Sequence, residues 1–169
     1  MTFTWSMGSP IGVITLCSDR DHIIGLALEE ERHPRDRSAA IAGPTAVLLE
    51  AERQIQEYFE GARQSFDIPL RPQGTDFQEQ VWQQLLAIPF GQTISYLELA
   101  RRIGNEKAVR AVAMANGRNP IGLIIPCHRV IGSNGDLSGY GGGLARKEYL
   151  LKHEGARHRG HRGEQPSLF

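Results

Sequence analysis

The sequence is poor in several features that would point to particular classes of protein. Its 169 residues include only two cysteines, Cys17 and Cys127, too few for a disulfide framework or for a Cys/His cluster spaced to hold a structural metal. No stretch approaches the ~18 consecutive apolar residues of a membrane span. The start of the chain lacks the basic and apolar segments of a secretory signal. These absences predict a cytoplasmic protein with reduced thiols, no bound metal and no membrane partner.

The chain also lacks net charge, but its charges are unevenly divided. Residues 1–94 carry 7 Lys and Arg against 13 Asp and Glu, whereas residues 95–169 carry 12 against 6. A basic surface gains free energy by releasing counterions from phosphate groups, so the second part is expected to bind a polyanion. The negative charge of the first part argues against a direct role in holding phosphates.

The first part of the chain predicts a small sheet and a helix. A helix is expected between Leu48 and Tyr58, because apolar residues recur there at three- and four-residue steps. Residues 66–70 alternate like a further strand, and residues 71–74 read as a linker. We therefore predict an α/β supporting domain over residues 1–73. Three β-prone segments separated by turn residues predict an antiparallel meander over residues 2–7, 13–18 and 23–28.

The second part predicts a mostly helical domain over residues 74–155. Thr75 is followed three residues later by Gln78, and Ser95 by Glu98, and each pair has the spacing of a capping box that opens a helix. Both helices end close to glycine or proline, which marks them as short.

A helix-turn-helix is expected within this domain. A third helix is predicted from about residue 108 to 116, only a short turn after Gly104, and two short helices joined in this way are typical of that motif. A glycine-rich stretch then leads to a last helix over residues 144–153. The basic tail over residues 156–169 lacks periodicity and is expected to be flexible.

A cysteine stands directly before a histidine at the end of an apolar run and after Pro126. Only the thiolate of a cysteine is nucleophilic, so Cys127 beside the imidazole of His128 suits bond formation better than packing. In an arbitrary chain such a pair is more often part of the core than of an active site. The pair therefore needs support from the rest of the sequence.

Five short motifs occur in order along the second part: Arg110-Ala111-Val112, Asn119-Pro120, Pro126-Cys127-His128-Arg129-Val130, Gly139-Tyr140-x-Gly142-Gly143 and His153-Glu154-Gly155. Together they closely resemble the O6-alkylguanine-DNA alkyltransferases, also called methylated-DNA-protein-cysteine methyltransferases. The resemblance is strong over residues 74–155 and holds in outline before them. It implies an α/β chain with an N-terminal ribonuclease-H-like domain containing a small antiparallel sheet, and a mostly helical C-terminal domain with the helix-turn-helix.

The resemblance implies DNA repair by transfer of an alkyl group to Cys127 without any cofactor. The substrate is O6-alkylguanine, with O4-alkylthymine as a further substrate. His128 would act through an ordered water as the base for the thiol, and Glu154 would hold and polarise His128. Tyr96 would donate a proton or hydrogen bond to the departing guanine. Because the product is a thioether, each molecule would act once.

By the same resemblance, the partner is double-stranded DNA, bound through its minor groove with the alkylated nucleotide flipped out. Arg110 would replace the flipped base, Ala111 suits a helix that enters a narrow groove, and Tyr96 and Arg129 would also contact DNA. Weak self-association on DNA is compatible with this arrangement. The predicted substrate pocket consists of Met114, Asn119, Val130, Tyr140 and Gly141.

Two details of that pocket are expected from the family pattern. The backbone carbonyls of Cys127 and Val130 would accept hydrogen bonds from the guanine amino group. Gly141 stands where many members have Ser or Ala, so a roomier site that accepts larger alkyl groups is expected.

Two other functions remain open from the sequence. A non-catalytic DNA-binding module could use the same helices to recognise damage, although relatives of that kind lack the reactive cysteine. A cysteine hydrolase would also pair Cys127 with His128, but it would turn over and leave no lasting adduct. Lys147 is either a contact to the catalytic segment or a solvated side chain, and it is left outside the predicted site.

Overall fold

The chain divides into two compact units. The structure is a computed structural model, and the residues that it describes are 1–31, 33–137 and 139–158. The first unit comprises Met1–Gln73 and Pro120–Ile124, and the second comprises Gly74–Asn119 and Ile125–Phe169. The flexibility predicted for the tail concerns mainly residues after His158, which lie outside the described residues.

The structure differs from the contiguous domain predicted over residues 74–155 at one segment. Pro120–Ile124 belongs to the first unit, because the backbone N–H of Leu26 donates to the Pro120 carbonyl at 2.9 Å. Leu26 and Ile121 also form an isolated parallel bridge. The apolar run before the Cys-His pair therefore starts as an edge partner of the N-terminal sheet.

The sheet of the first unit has four strands: β1 (Phe3–Met7), β2 (Ile14–Ser18), β3 (Ile23–Leu28) and β4 (Ile41–Ala42). Their order is β3-β2-β1-β4. The predicted antiparallel meander is confirmed, since β1 pairs with β2 and β2 with β3 in that sense. The short strand β4 is not expected from the sequence pattern, and it runs parallel to β1, so the whole sheet is mixed.

Helix α1 (Ala46–Phe59) packs its apolar face into the core of this unit, as its spacing predicts. The strand predicted over residues 66–70 does not form. Only Leu70 makes an isolated bridge, to Ile23. Pro69, which has no backbone N–H to donate, stands within that segment and explains why a full ladder is not built.

Within its described residues, the second unit contains four helices and two very short strands. Thr75 and Gln78 form the predicted reciprocal capping box at α2, whereas Ser95 alone caps α3 through the Glu98 N–H. The helices are α2 (Asp76–Leu85), α3 (Tyr96–Arg102), α4 (Val109–Gly117) and α5 (Leu144–His153); the strands are β5 (Ile94–Ser95) and β6 (Val130–Ile131). Two 3-10 turns cover Glu106–Ala108 and Cys127–Arg129.

Two contacts position the elements that carry the predicted site. The indole N–H of Trp82 on α2 donates to the Ala115 carbonyl at 2.8 Å, which fixes α4 of the helix-turn-helix against α2. Strand β5 pairs in parallel with β6, with Ile94 opposite Val130. Since α3 begins directly after β5, this pairing brings the start of α3 beside β6, the strand that directly follows the Cys127–Arg129 turn. No helix in the described part of the chain is long and apolar enough to cross a membrane.

Candidate active site

The thiol of Cys127 is buried, with 6% of the residue exposed. Burial raises the pKa of this thiol, because a thiolate loses its hydration there. A hydrogen bond from the Asn119 side chain and the nearby charge of Lys147 act in the opposite direction but only in part. The resting protein therefore holds a neutral thiol, which needs a base before it can attack.

His128 is placed to be that base. Its ring is fully buried, and its Nε2 lies 2.8 Å from Oε2 of Glu154. Burial lowers the pKa of the imidazole, although the hydrogen bond to Glu154 opposes this shift, so the ring is neutral near pH 7. A carboxylate can only accept, so Nε2 carries the proton and Nδ1 is a bare acceptor. Nδ1 has no hydrogen-bond partner among the described residues.

Glu154 connects the base to Arg129. It follows α5, and its carboxylate accepts from His128 and, in a two-pronged contact, from Nε and Nη2 of Arg129 at 2.9 and 3.0 Å. Burial by itself raises the pKa of this carboxyl, but its contacts with His128 and Arg129 outweigh burial and hold the pKa well below its usual range. Glu154 is therefore a fixed negative charge that orients the base.

Arg129 does not lie where a DNA contact requires, and this corrects its predicted role. Only 7% of the residue is exposed, and its remaining terminal nitrogen donates to the Ile88 carbonyl at 2.6 Å. Its guanidinium also lies over the ring of Phe90, 5.9 Å from the centroid. Each of its three guanidinium nitrogens donates to an acceptor inside the protein, so Arg129 positions Glu154 in this structure.

Tyr96 and Lys147 form a second buried pair beside the turn. Tyr96 is 1% exposed, so it belongs to the interior of the site and is no surface contact for DNA in this structure. The ammonium of Lys147 donates to the Tyr96 hydroxyl at 3.4 Å and to the Val130 carbonyl at 2.5 Å. Burial lowers the pKa of Lys147 to about 7. In its charged form Lys147 has only donors, so it leaves the Tyr96 hydroxyl to donate its own hydrogen elsewhere.

Amide side chains brace the backbone around Cys127. Asn119, predicted to belong to the substrate pocket, donates to the Ile125 carbonyl at 2.7 Å. Asn116, which none of the five motifs contains, is 1% exposed and donates to the carbonyl of Cys127 itself at 3.3 Å. The carbonyls of Cys127 and Val130, predicted to receive the guanine amino group, therefore each have a donor within the protein already.

Lys147 and Asn116 were both detectable in principle. Lys147 shares a helical face with Leu150 and Leu151, three and four residues later, and Asn116 follows Val112 by four residues. A polar residue at a position where the periodicity calls for an apolar one is costly unless it has a partner or a task. That mismatch is the signal that sequence reasoning missed.

The outer face of α4 is separate from this buried cluster. Arg110 and Ala111 are exposed, and Met114, one turn after Arg110, is 68% exposed. Met114 was predicted to line the substrate pocket, but it stands on the open surface of the helix because the inward positions belong to Val112 and Asn116. Arg110, Ala111 and Met114 thus form one exposed strip, which we call the outer strip of α4.

The glycine-rich stretch closes on α4 through backbone contacts. A Cβ atom on Gly141 would lie 3.2 Å from the Gly117 carbonyl oxygen, which is tighter than most such contacts. A side chain at this position would therefore require the end of α4 to shift by a few tenths of an ångström, while the wider site expected at Gly141 stays a prediction. Tyr140 beside it is 3% exposed and forms part of the same wall.

Gly139 is expected to tolerate no side chain. Its φ is +67°, and a Cβ atom there would stand 2.8 Å from the Tyr96 hydroxyl. We predict that Gly139→Ala costs roughly 1–2 kcal/mol of the free energy of unfolding from its backbone conformation alone, and in addition slows alkyl transfer by displacing Tyr96. Gly61→Ala is the matched control, because its φ is +82° and nothing lies within 4 Å of the added atom. Equal transfer rates in the two variants would contradict the assigned contact.

Comparison with known proteins covers both units. Residues 76–156 match the DNA-binding domain of the 6-O-methylguanine DNA methyltransferases, and residues 5–72 match their ribonuclease-like domain. The methylated-DNA-protein-cysteine methyltransferase of Methanosarcina acetivorans is 47% identical over 148 residues, covering 88% of this chain and 95% of that protein. The protein of the same name from Mycobacterium bovis is 45% identical over 152 residues, covering 90% and 92%.

Solved structures agree with these sequence matches. The crystal structure of Mycobacterium tuberculosis O6-methylguanine methyltransferase has a TM-score of 0.85 at 44% identity, covering 94% of this chain and 96% of that one. The crystal structure of M. tuberculosis OGT in complex with DNA has a TM-score of 0.86 at 44% identity, covering 90% and 92%. These matches confirm the predicted fold class, and this chain belongs to the family of methylated-DNA-protein-cysteine methyltransferases.

Proposed function

We propose that this chain repairs DNA by transferring the alkyl group of O6-alkylguanine to the sulfur of Cys127. The observation that carries the proposal is the buried row of Cys127, His128 and Glu154, in which a 2.8 Å contact fixes the tautomer of the base. A nucleophile, a base and a group that orients the base are the parts that activation of a thiol requires. The family to which the chain belongs performs this class of reaction.

The proposed transfer is an in-line displacement. His128 takes the proton of the Cys127 thiol, through a bridging water, and the sulfur forms a bond to the alkyl carbon as the carbon–O6 bond breaks. The electron pair of that bond passes to guanine, and the Tyr96 hydroxyl supplies a hydrogen bond or proton to the ring. The displacement needs no cofactor. The thioether that results is not open to thiol exchange, which acts on disulfide sulfurs, so one molecule repairs one lesion.

Double-stranded DNA is the proposed partner, and α4 is the proposed element of contact. Its outer strip offers an exposed arginine among small or flexible side chains, and Arg110 has no acidic partner among the described residues. The M. tuberculosis protein, which shares this fold, has been crystallised with DNA. We propose that the strip enters the minor groove, where base readout is degenerate, and that Arg110 fills the place of the flipped nucleotide.

The location of the protein and its self-association belong to the same proposal. Cys17 and Cys127 are both free thiols, which suits a reducing, cytoplasmic compartment. Weak self-association on DNA would let several copies occupy neighbouring stretches of duplex. Sedimentation of the protein with DNA of increasing length tests this part separately from the chemistry.

The decisive experiment is mass measurement after incubation with a duplex that contains one O6-methylguanine. We expect an increase of one methyl group per molecule, and peptide masses that place the methyl group on Cys127. Cys17, the other buried thiol, is the internal control and stays unmodified. Continued turnover without an adduct would favour a cysteine hydrolase. Binding of the damaged duplex without any adduct would favour a non-catalytic recognition protein.

A further inference from the structure

A short turn after α2 lies against the carboxylate of Glu154. This α2 turn, as we call residues 88–92, is closed by a hydrogen bond from the Gln92 N–H to the Pro89 carbonyl at 3.1 Å. Gly91 occupies the third position of the closed loop with a φ of +80°. A positive φ at that position is typical of a type II turn and favours glycine.

Gly91 supplies a fourth N–H donor to the carboxylate of Glu154. Its backbone N–H donates to Oε1 at 3.5 Å. Arg129 donates to both oxygens, and His128 lies 2.8 Å from Oε2. Each oxygen therefore has two donors. An ionised carboxylate has about four acceptor sites, so groups of the protein occupy them in place of water.

The α2 turn also covers the guanidinium of Arg129. The Ile88 carbonyl accepts from Nη1 at 2.6 Å, and the Phe90 ring lies over the guanidinium carbon, 5.9 Å from the centroid. The ring of His153 meets Phe90 edge-on, with 6.5 Å between centroids. Both charges of the ion pair thus contact the same turn. Charges that are shielded from water interact more strongly, because the surrounding dielectric is low.

The turn approaches Glu154 too closely to carry a side chain at Gly91. A Cβ atom there would lie 3.2 Å from the backbone carbonyl oxygen of Glu154, which would have to give by a few tenths of an ångström. Glycine is therefore favoured at this position by its φ and also by its distance from the residue that orients the base.

We propose that the α2 turn is a seal that keeps water from Glu154 and thereby fixes the tautomer of His128. Gly91 and Phe90 are then positioning residues, which act on the transfer through Glu154. This inference rests on the proposed function. Water at the carboxylate would compete with the His128 Nε2–H for its acceptor, and the ring would then carry its proton on Nδ1 for part of the time. Nδ1 is the atom that must be bare to take a proton.

The proton on Nε2 of His128 allows the seal to be tested without any substrate. Nitrogen-15 NMR of histidine-labelled protein gives the tautomer of the ring and the rate at which this proton exchanges with water. We expect one tautomer in the unmodified protein, with the proton on Nε2. Gly91→Ala and Phe90→Leu are each expected to accelerate the exchange by roughly 10-fold. The same variants should slow single-turnover methyl transfer to Cys127 by roughly 10-fold.

Gly61→Ala and Phe59→Leu are the matched controls. Gly61 has a φ of +82°, and nothing lies within 4 Å of the added atom. Phe59 on α1 is half-buried, as Phe90 is, and meets a neighbouring ring edge-on at 5.1 Å. Both controls are expected to keep the proton exchange and the transfer rate of the unmodified protein. Phe90→Leu, which preserves the backbone, decides the question if Gly91→Ala does not fold.

Two results would overturn the inference while the proposed function stands: exchange of the Nε2 proton that is unchanged in both variants of the α2 turn, or transfer by them as fast as by the controls. Absence of any methyl transfer from O6-methylguanine by the unmodified protein would instead overturn the proposed function and this inference with it.

Discussion

Glu154→Gln is expected to cost about 3–5 kcal/mol of the free energy of unfolding, the usual cost of breaking a buried ion pair. The substitution keeps the size of the side chain but leaves the guanidinium of Arg129 buried without a negative charge. In a protein of this length, the thermal midpoint should fall by about 10 °C. Glu148→Gln on α5 is the control, because its partner Lys152 has a largely exposed side chain and the pair contributes little.

The stability difference between the unmodified protein and Glu154→Gln should depend on pH in a defined direction. The pKa of Glu154 in the folded protein lies well below its ordinary value of 4.5. The carboxylate therefore contributes its full stabilisation above pH 4.5 and loses it as the pH falls. Thermal midpoints measured from pH 7 down to pH 3 should converge. A constant gap over that range would contradict a charged Glu154.

The same variant should slow alkyl transfer on the order of 10³-fold, by analogy with other sites in which the orienting carboxylate becomes an amide. The glutamine amide nitrogen can donate to Nε2 of His128, which then carries its proton on Nδ1. Nδ1 is the atom that is bare in this structure, so the base would be blocked. Single-turnover kinetics below the melting temperature separate this effect from the loss of stability.

Lys147→Met is expected to slow transfer at pH 7 by roughly 10-fold, because it removes the positive charge that stabilises the thiolate of Cys127. The ammonium of Lys147 lowers the pKa of the Cys127 thiol, so its removal raises that pKa further above its usual value. Because the pKa of Lys147 is itself about 7, the difference in rate between the variant and the unmodified protein should be largest below pH 7 and should shrink as the pH rises and Lys147 loses its charge.

Lys152→Met is the control for this variant. Lys152 lies on the same helix with its side chain 68% exposed, and it makes no contact with the turn that carries Cys127 in the described structure. Its pH–rate profile should match that of the unmodified protein. A profile of Lys147→Met that falls uniformly at all pH values would show that the ammonium acts only through the position of Tyr96.

Elements with strong local signals could be predicted from the sequence. The capping box at Thr75 and the apolar spacing of α1 are properties of neighbouring residues, and the structure contains both elements. Strand β4 could not be predicted, because two residues carry no periodicity and are held by pairing with β1. The strand predicted around Pro69 does not form, because Pro69 has no backbone N–H to donate to a neighbouring strand. Alternating apolar residues are therefore not sufficient to predict a strand.

The site shows the same division. Motif resemblance indicates Cys127, His128 and Glu154, and the structure brings these residues together. Motif resemblance does not tell whether an arginine side chain is exposed or buried, because Arg129 and Arg110 have the same chemistry. Only the fold distinguishes them. Arg129 is committed to Glu154 by distances that follow from the placement of α5, far along the chain.

The close approach of Gly141 and Gly117 has a consequence for attempts to change the substrate range. A side chain introduced at Gly141 would press on the carbonyl of a residue at the end of α4, 3.2 Å from its first carbon. Gly117 ends α4, which also carries the outer strip proposed to meet DNA, so such a change would require this end of the helix to shift by a few tenths of an ångström. Libraries that vary only the glycine-rich stretch should therefore change the alkyl-group preference and the affinity for DNA together. Selection for both properties requires variation at the end of α4 as well.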